Sequence, residues 1–149
     1  MGIKVIAKNK KAFFDYFIEQ KIEAGIILKG TEIKSLRQGK VSLKEAFVQI
    51  DKNGEVWILN MTIPQYEFGN RFNHEENRKR KLLLHKKEIA KLELEMKKQN
   101  YTIVPTMIYF SKNYIKIEIG LGKGKKAYDK RHDQAKKDVN RKLQRGIYE

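Results

Sequence analysis

Residues 25–40, GIILKGTEIKSLRQGK, constrain the fold more than any other stretch of the chain. Ile26, Ile27 and Leu28 form a short β-branched and apolar run closed by Gly25 and Gly30, the pattern of a buried strand too short to alternate. A helix should follow. Thr31 is placed to cap it, Glu32 suits the positive end of its dipole, and Ile33 and Leu36 fall three apart on one face. Gly39 supplies the left-handed residue that ends it. Lys29, Lys34, Arg37 and Lys40 ring this apolar seam, so the unit would bury one face and present a basic one.

The flanking segments repeat the logic of short strands and amphipathic helices. Phe13, Phe14, Phe17 and Ile18, after Asn9-Lys10-Lys11, predict an opening helix of about three turns with its aromatics in the core. Residues 44–51 and 55–63 read as two strands joined across Asn53-Gly54, the strongest short hairpin signal in the chain. Trp57, Leu59, Met61 and Ile63 are expected on one inward face of the second. Pro64 opens an irregular run, 64–79, that mixes Tyr66, Phe68 and Phe72 with Arg71 and several asparagines. That mixture suits a single-stranded or looped RNA contact, and it equally suits a hairpin tip with no partner.

Leu82 to Leu84 predict a brief strand, and a helix over 85–99 buries Ile89, Leu92 and Met96 with Asn100 as a stop. Residues 101–110 form a strand in which Pro105 argues for an edge or a bulge. In 114–121, Ile115, Ile117, Ile119 and Leu121 alternate with Lys116 and Glu118. The sum is a mainly β protein with helices. About six antiparallel strands and about three helices point to a small closed barrel of the oligonucleotide-binding (OB) type, a fold whose strand face takes nucleic acid.

Charge narrows the function. The 149 residues carry 33 Lys plus Arg against 18 Asp plus Glu, a net charge of +15, so a polyanion is the expected partner. The absence of cysteine excludes a disulfide scaffold and thiol chemistry. No apolar run has the length of a membrane span, so a soluble cytoplasmic protein is expected. His74, His85 and His132 lack metal-ligand spacing, residues 120–124 lack the spacing of a phosphate loop, and no serine sits in a nucleophile elbow. No catalytic residue, metal or cofactor is expected, and the chemistry should be binding. After Leu121 the composition shifts: residues 122–149 hold ten Lys plus Arg, four acids and no Phe or Trp. Residues 1–121 are therefore expected to form the barrel and 122–149 a flexible basic tail, hinged at 122–126. Tyr128, Ala135, Val139, Leu143 and Ile147 give that tail a helical register once it is bound.

Five motifs then occur in order: AKNKKA at 7–12, EAG at 23–25, GTEIKSLR at 30–37, RKLLLHK at 80–86 and GKKAYDKR at 124–131. Together they span essentially the whole chain, which closely resembles the SsrA-binding protein family (small protein B), the bacterial partners of transfer-messenger RNA (tmRNA). The resemblance implies an adaptor rather than an enzyme. Such proteins bind the tRNA-like domain of tmRNA and bring its alanyl-charged form, together with elongation factor Tu, to ribosomes stalled without a codon. Their tail becomes helical in the vacant mRNA path of the small subunit, and trans-translation follows.

Carried over by motif, the RNA-binding set is Asn9, Lys10, Lys11, Glu23, Lys34, Arg37, Arg80, Lys81, Leu83 and His85. The ribosome-binding set is Lys123, Lys125, Lys126, Tyr128, Asp129, Lys130 and Arg131, and a monomer is expected. A glutamate suits an RNA surface because a carboxylate accepts hydrogen bonds from base amino groups. Glu76 stands where the family usually has Pro, and Gly122 where Ala is expected, departures that should loosen the long loop and the hinge. A ribosomal or rRNA-binding barrel protein with a structural tail is the alternative.

Overall fold

The computed structural model describes residues 3–69, 73–97 and 101–125. Within them the elements run β1 (Ile3–Lys8), α1 (Lys10–Asp15), β2 (Tyr16–Ile26), α2 (Gly30–Arg37), β3 (Phe47–Ile50), β4 (Val56–Leu59), β5 (Arg80–Leu83), α3 (Lys86–Met96), β6 (Tyr101–Ser111) and β7 (Tyr114–Gly124). Every pairing is antiparallel. Strand β6 pairs β3, β3 pairs β4, β4 pairs β5, β5 pairs β2, β2 pairs β7, and β7 returns to β6. Six strands thus close a ring through their pairings, in keeping with the mainly antiparallel fold expected, and β1 is added outside it on β6. The core inside the ring holds Val48, Val56, Ile58, Ile103, Ile117, Ile119 and Leu121, and Leu36 of α2 and Leu92 of α3 reach into it.

The amino-terminal segment departs from its expected long helix. Asn9 caps α1 by accepting from the Ala12 N–H at 3.1 Å, but the helix stops at Asp15 because Tyr16, Phe17 and Ile18 are strong strand formers with partners waiting. They pair with Gly124, Lys123 and Gly122 of β7. Phe13 and Phe17 are accordingly exposed rather than core, Phe17 at 51%. Strand β1 was not anticipated at all.

Elsewhere the differences are smaller. Strand β2 ends at Ile26, where a strand was expected to begin. In α2 the cap is Lys29, whose N–H is accepted by Glu32 at 2.7 Å, while the Thr31 hydroxyl turns to His74 Nδ1 at 2.8 Å. Gly39 does take a left-handed φ of 75° at the helix end. In β4 it is Val56 and Ile58 that face inward, with Trp57 on the opposite face. Asn60, at φ 59°, then shifts the phase so that Met61 and Ile63 return to the core. Pro105 lies at a bulge, between Pro105 and Met107, in a strand bonded on both sides rather than at an edge. There β6 hands over from β3 to β1 as its second neighbour.

The loop 64–79 is bolted down where it is described. His74 is buried, with Nε2 2.7 Å from the Ile63 carbonyl oxygen, and Ser35 Oγ donates to the Pro64 carbonyl at 2.7 Å. Glu76 does not loosen it. Its carbonyl accepts from Ile63 N and from Arg80, and its carboxylate accepts from the Gln65 N–H at 3.0 Å. Nor is Gly122 a hinge: β7 continues through Gly124, and a Cβ on Gly122 would lie 2.9 Å from Tyr16 Cβ. The absent side chain lets β7 press against β2.

Candidate nucleic-acid interface

Register across the ring creates a candidate surface from residues far apart in sequence. Val5, Tyr109, Lys116, Gly25 and Leu83 stand opposite one another in turn on β1, β6, β7, β2 and β5. Opposed residues of antiparallel strands share a face, so these five form one row on the side of the ring away from its core, with Val5 and Leu83 exposed, Gly25 and Lys116 partly covered and Tyr109 buried. Gly25 is its low point: a Cβ there would come within 3.3 Å of Leu83 Cβ. Leu83 therefore rests on bare backbone and stands proud, 52% exposed. Glu23, two residues back on β2 and hence on the same face, is exposed beside it, opposite Glu118 of β7.

The two facing carboxylates would repel without hydrogen-bond donors. Each is held by a hydroxyl from β6. Tyr109 Oη donates to Glu23 Oε2, and Thr106 Oγ1 donates to Glu118 Oε2 at 2.6 Å. Burial of the Tyr109 ring, followed by its hydrogen bond to Glu23, raises the phenol well above its usual range, so it stays a donor throughout the working pH. These β6 and β7 residues were missed in the sequence. Alternation marked Lys116 and Glu118 as outward-facing, but nothing local shows which strand lies next to β2.

Two residues of the expected RNA set are in the interior. Asn9 is 3% exposed: its amide donates to the carbonyls of Leu43 at 3.0 Å and Pro105 at 2.9 Å while its oxygen caps α1. It ties β1, β6 and the turn before β3 into one joint. Arg80 is fully buried, bonded to Glu32 at 2.5 Å and to the carbonyls of Met61 and Glu76. Arg78 closes on the same Glu32 at 2.6 Å. Burial alone would raise the Glu32 carboxyl, but bonds from Arg78, the Lys29 N–H and Arg80 outweigh it and hold the group below the usual range. These side chains face the fold, Asn9 with 3% of its surface exposed and Arg80 with none.

The other cations lie outside. Lys10, Lys34, Arg37 and His85 are exposed, His85 as the cap residue of α3. Lys11 is 2.7 Å from Glu45, and Lys81 is 3.7 Å from Glu55. Arg37 lines a groove of about 370 Å³ with Ile27, Ile33, Tyr114 and Ile115. Several lysines sit over aromatic rings. Lys34 lies 5.3 Å from the Tyr66 ring centre, Lys79 4.6 Å from Trp57, Lys21 5.2 Å from Phe13, and Lys125 5.0 Å from Phe17.

Lys123 stands between Phe17 and Tyr101 on neighbouring strands. Lys125, the last described residue, is fixed to α1, its N–H donating to Asp15 O at 2.9 Å and its ammonium to Phe13 O at 3.0 Å. Lys126, Tyr128, Asp129, Lys130 and Arg131 lie outside the described residues, as does the expected tail helix. No group of three or more His, Asp or Glu among the described residues could hold a metal, and no described helix is long and apolar enough to cross a membrane.

A closed antiparallel ring of strands with a basic, ring-studded exterior is the architecture expected of a nucleic-acid-binding protein. Comparison with known proteins makes the assignment specific, for residues 6–149 match the SmpB protein family. SsrA-binding proteins of Bacillus cereus (strain AH820) and Geotalea uraniireducens (strain Rf4) are 58% and 56% identical to this chain over 97% and 95% of its length, and over 92% and 93% of theirs. A chain of the solved structure "tmRNA-SmpB: a journey to the center of the bacterial ribosome" superposes with a TM-score of 0.69 at 45% identity, covering 92% of this chain and 96% of that one. The chain belongs to the SmpB family.

Proposed function

We propose that this chain is an RNA-binding adaptor and not an enzyme, one that grips the tRNA-like domain of tmRNA and delivers the alanyl-charged RNA to stalled ribosomes for trans-translation. The observation that carries the reading is the convergence of Glu23 and Leu83 on one outer row of the ring, in a chain of net charge +15 whose relatives are SsrA-binding proteins. The exposed cations Lys10, Lys34, Arg37 and His85, together with Lys81, supply attraction to phosphate, and Glu23 and Leu83 supply discrimination. The basic tail from Lys123 onward, with Lys125, Lys126, Tyr128, Asp129, Lys130 and Arg131, acts in the decoding centre and empty mRNA channel of the small subunit. The protein works as a cytoplasmic monomer alongside elongation factor Tu.

Truncation separates the two surfaces. The cut belongs after Lys125 rather than after Leu121, because β7 runs to Gly124 and Lys125 is bonded to α1. The shortened protein should bind the tRNA-like domain of tmRNA within about twofold of the full chain and lose all tagging of stalled products. Equal loss of both activities would overturn the two-surface reading. RNA recovered on tagged full-length protein from cells should be dominated by one species with a tRNA-like end. Broad rRNA enrichment in its place would favour a ribosomal protein.

A further inference from the structure

We infer that Tyr109 is a positioning residue for RNA recognition, fixing the Glu23 carboxylate so that its free oxygen, Oε1, reads a donor-bearing base edge. The inference rests on the RNA-binding reading above and names what one part of that surface recognises. Tyr109 is buried, yet its hydroxyl crosses β7 to donate to Glu23 Oε2 on β2. A glutamate on a strand normally samples several rotamers, and an exposed one gains little by ordering. Here one carboxylate oxygen is occupied from beneath by a rigid phenol, and the other remains to be shared with a partner. Neither Glu23 nor Glu118 has a Lys or Arg within ion-pair distance among the described residues, although the chain is rich in both. The negative charge is therefore left unneutralised on the face proposed to meet RNA.

A carboxylate repels phosphate and only accepts hydrogen bonds. Among RNA groups, its fit is to the Watson–Crick edge of an unpaired guanine, with N1–H and N2–H side by side, or to the amino group of cytosine or adenine. Leu83 beside it gives such a base an apolar floor. The pair thus adds selectivity, and the surrounding lysines add affinity.

The test is a double-substitution cycle with Tyr109→Phe and Glu23→Ala in the full-length protein. The probes are a transcript of the tRNA-like domain of tmRNA and an unrelated RNA duplex of equal length. Tyr109→Phe keeps the ring and removes only the hydroxyl. It should weaken binding to the tRNA-like transcript about tenfold, the loss of roughly one well-placed bond to a charged acceptor. Binding to the duplex and the slope of log K against log salt should not change. In the Glu23→Ala background the same substitution should cost less than about twofold, because the group it positions is gone. Tyr109→Phe with unchanged affinity, equal losses on both RNAs, or losses that add in the double variant would each overturn the inference. If the unaltered protein itself prefers neither RNA, the functional reading fails and this inference falls with it.

Discussion

Asn9 and Glu32 illustrate how a residue can belong to a diagnostic motif and serve the fold. Replacing Asn9 by Ala would strand two buried carbonyls and remove a helix cap. Each unsatisfied group costs about 1–3 kcal/mol, so denaturant unfolding should show a loss of at least about 2 kcal/mol. Where the variant remains folded, its RNA affinity should stay within about twofold of the original; a large loss there would put Asn9 in contact with RNA. Glu32 makes a prediction in pH. Its folded pKa lies below its unfolded value, so its contribution to stability is present above the unfolded pKa of about 4.3 and is lost as pH falls through the folded pKa. Unfolding free energy should decline in acid below about pH 4.5, and Glu32→Gln should flatten that part of the profile while lowering stability near neutrality. The neutral variant leaves Arg80 buried without its counter-charge, a defect worth about 3–5 kcal/mol.

Among elements, those with local signals were legible and those with distant partners were not. The Asn53-Gly54 turn, the alternation of Ile115, Ile117, Ile119 and Leu121, and the helix ended by Gly39 all state their structure within a few residues. Strand β1 has no such signal; IKVIAK becomes a strand because β6 offers a free edge beyond Pro105. Phe17 misled for the same reason. Its helical spacing to Phe13 is real, but β7 with its close-packing glycines captured Tyr16 to Ile18 as strand.

At the candidate site, Glu23 and Leu83 could be chosen only through their motifs, and the register that joins them across Gly25 exists only in three dimensions. Those same motifs also carried Asn9 and Arg80, since matching letters do not separate a side chain that holds the fold from one that meets a partner. Two substitutions test the element-level account. Ile119→Ala should cost about 2–5 kcal/mol as a cavity in the ring, whereas Phe17→Ser, on the exposed side of β2, should cost clearly less in the same thermal or denaturant measurement. Comparable losses would mean that Phe17 is packed after all.

At the scale of the molecule, charge and closure dominate. A net charge of +15 should make RNA binding fall steeply with salt, log K dropping by about 0.7–0.9 for each phosphate contacted per decade of salt. Salt titration of the Glu23→Ala variant should show reduced affinity with an unchanged slope, since under the proposed reading its carboxylate meets a base edge and no phosphate.

Closure has a consequence for the chain's own synthesis. Strand β2 is among the first segments made and β7 the last of the ring, with Tyr16 meeting Gly124 and Gly25 meeting Lys116. Until β7 has been translated, β2 lacks its principal neighbour and β6 lacks its hairpin partner. Such long-range pairing is slow to form and leaves sticky strand edges exposed meanwhile. A nascent chain that stops short of residue 114 is therefore an aggregation hazard, and one carried through Lys125 has everything its ring needs.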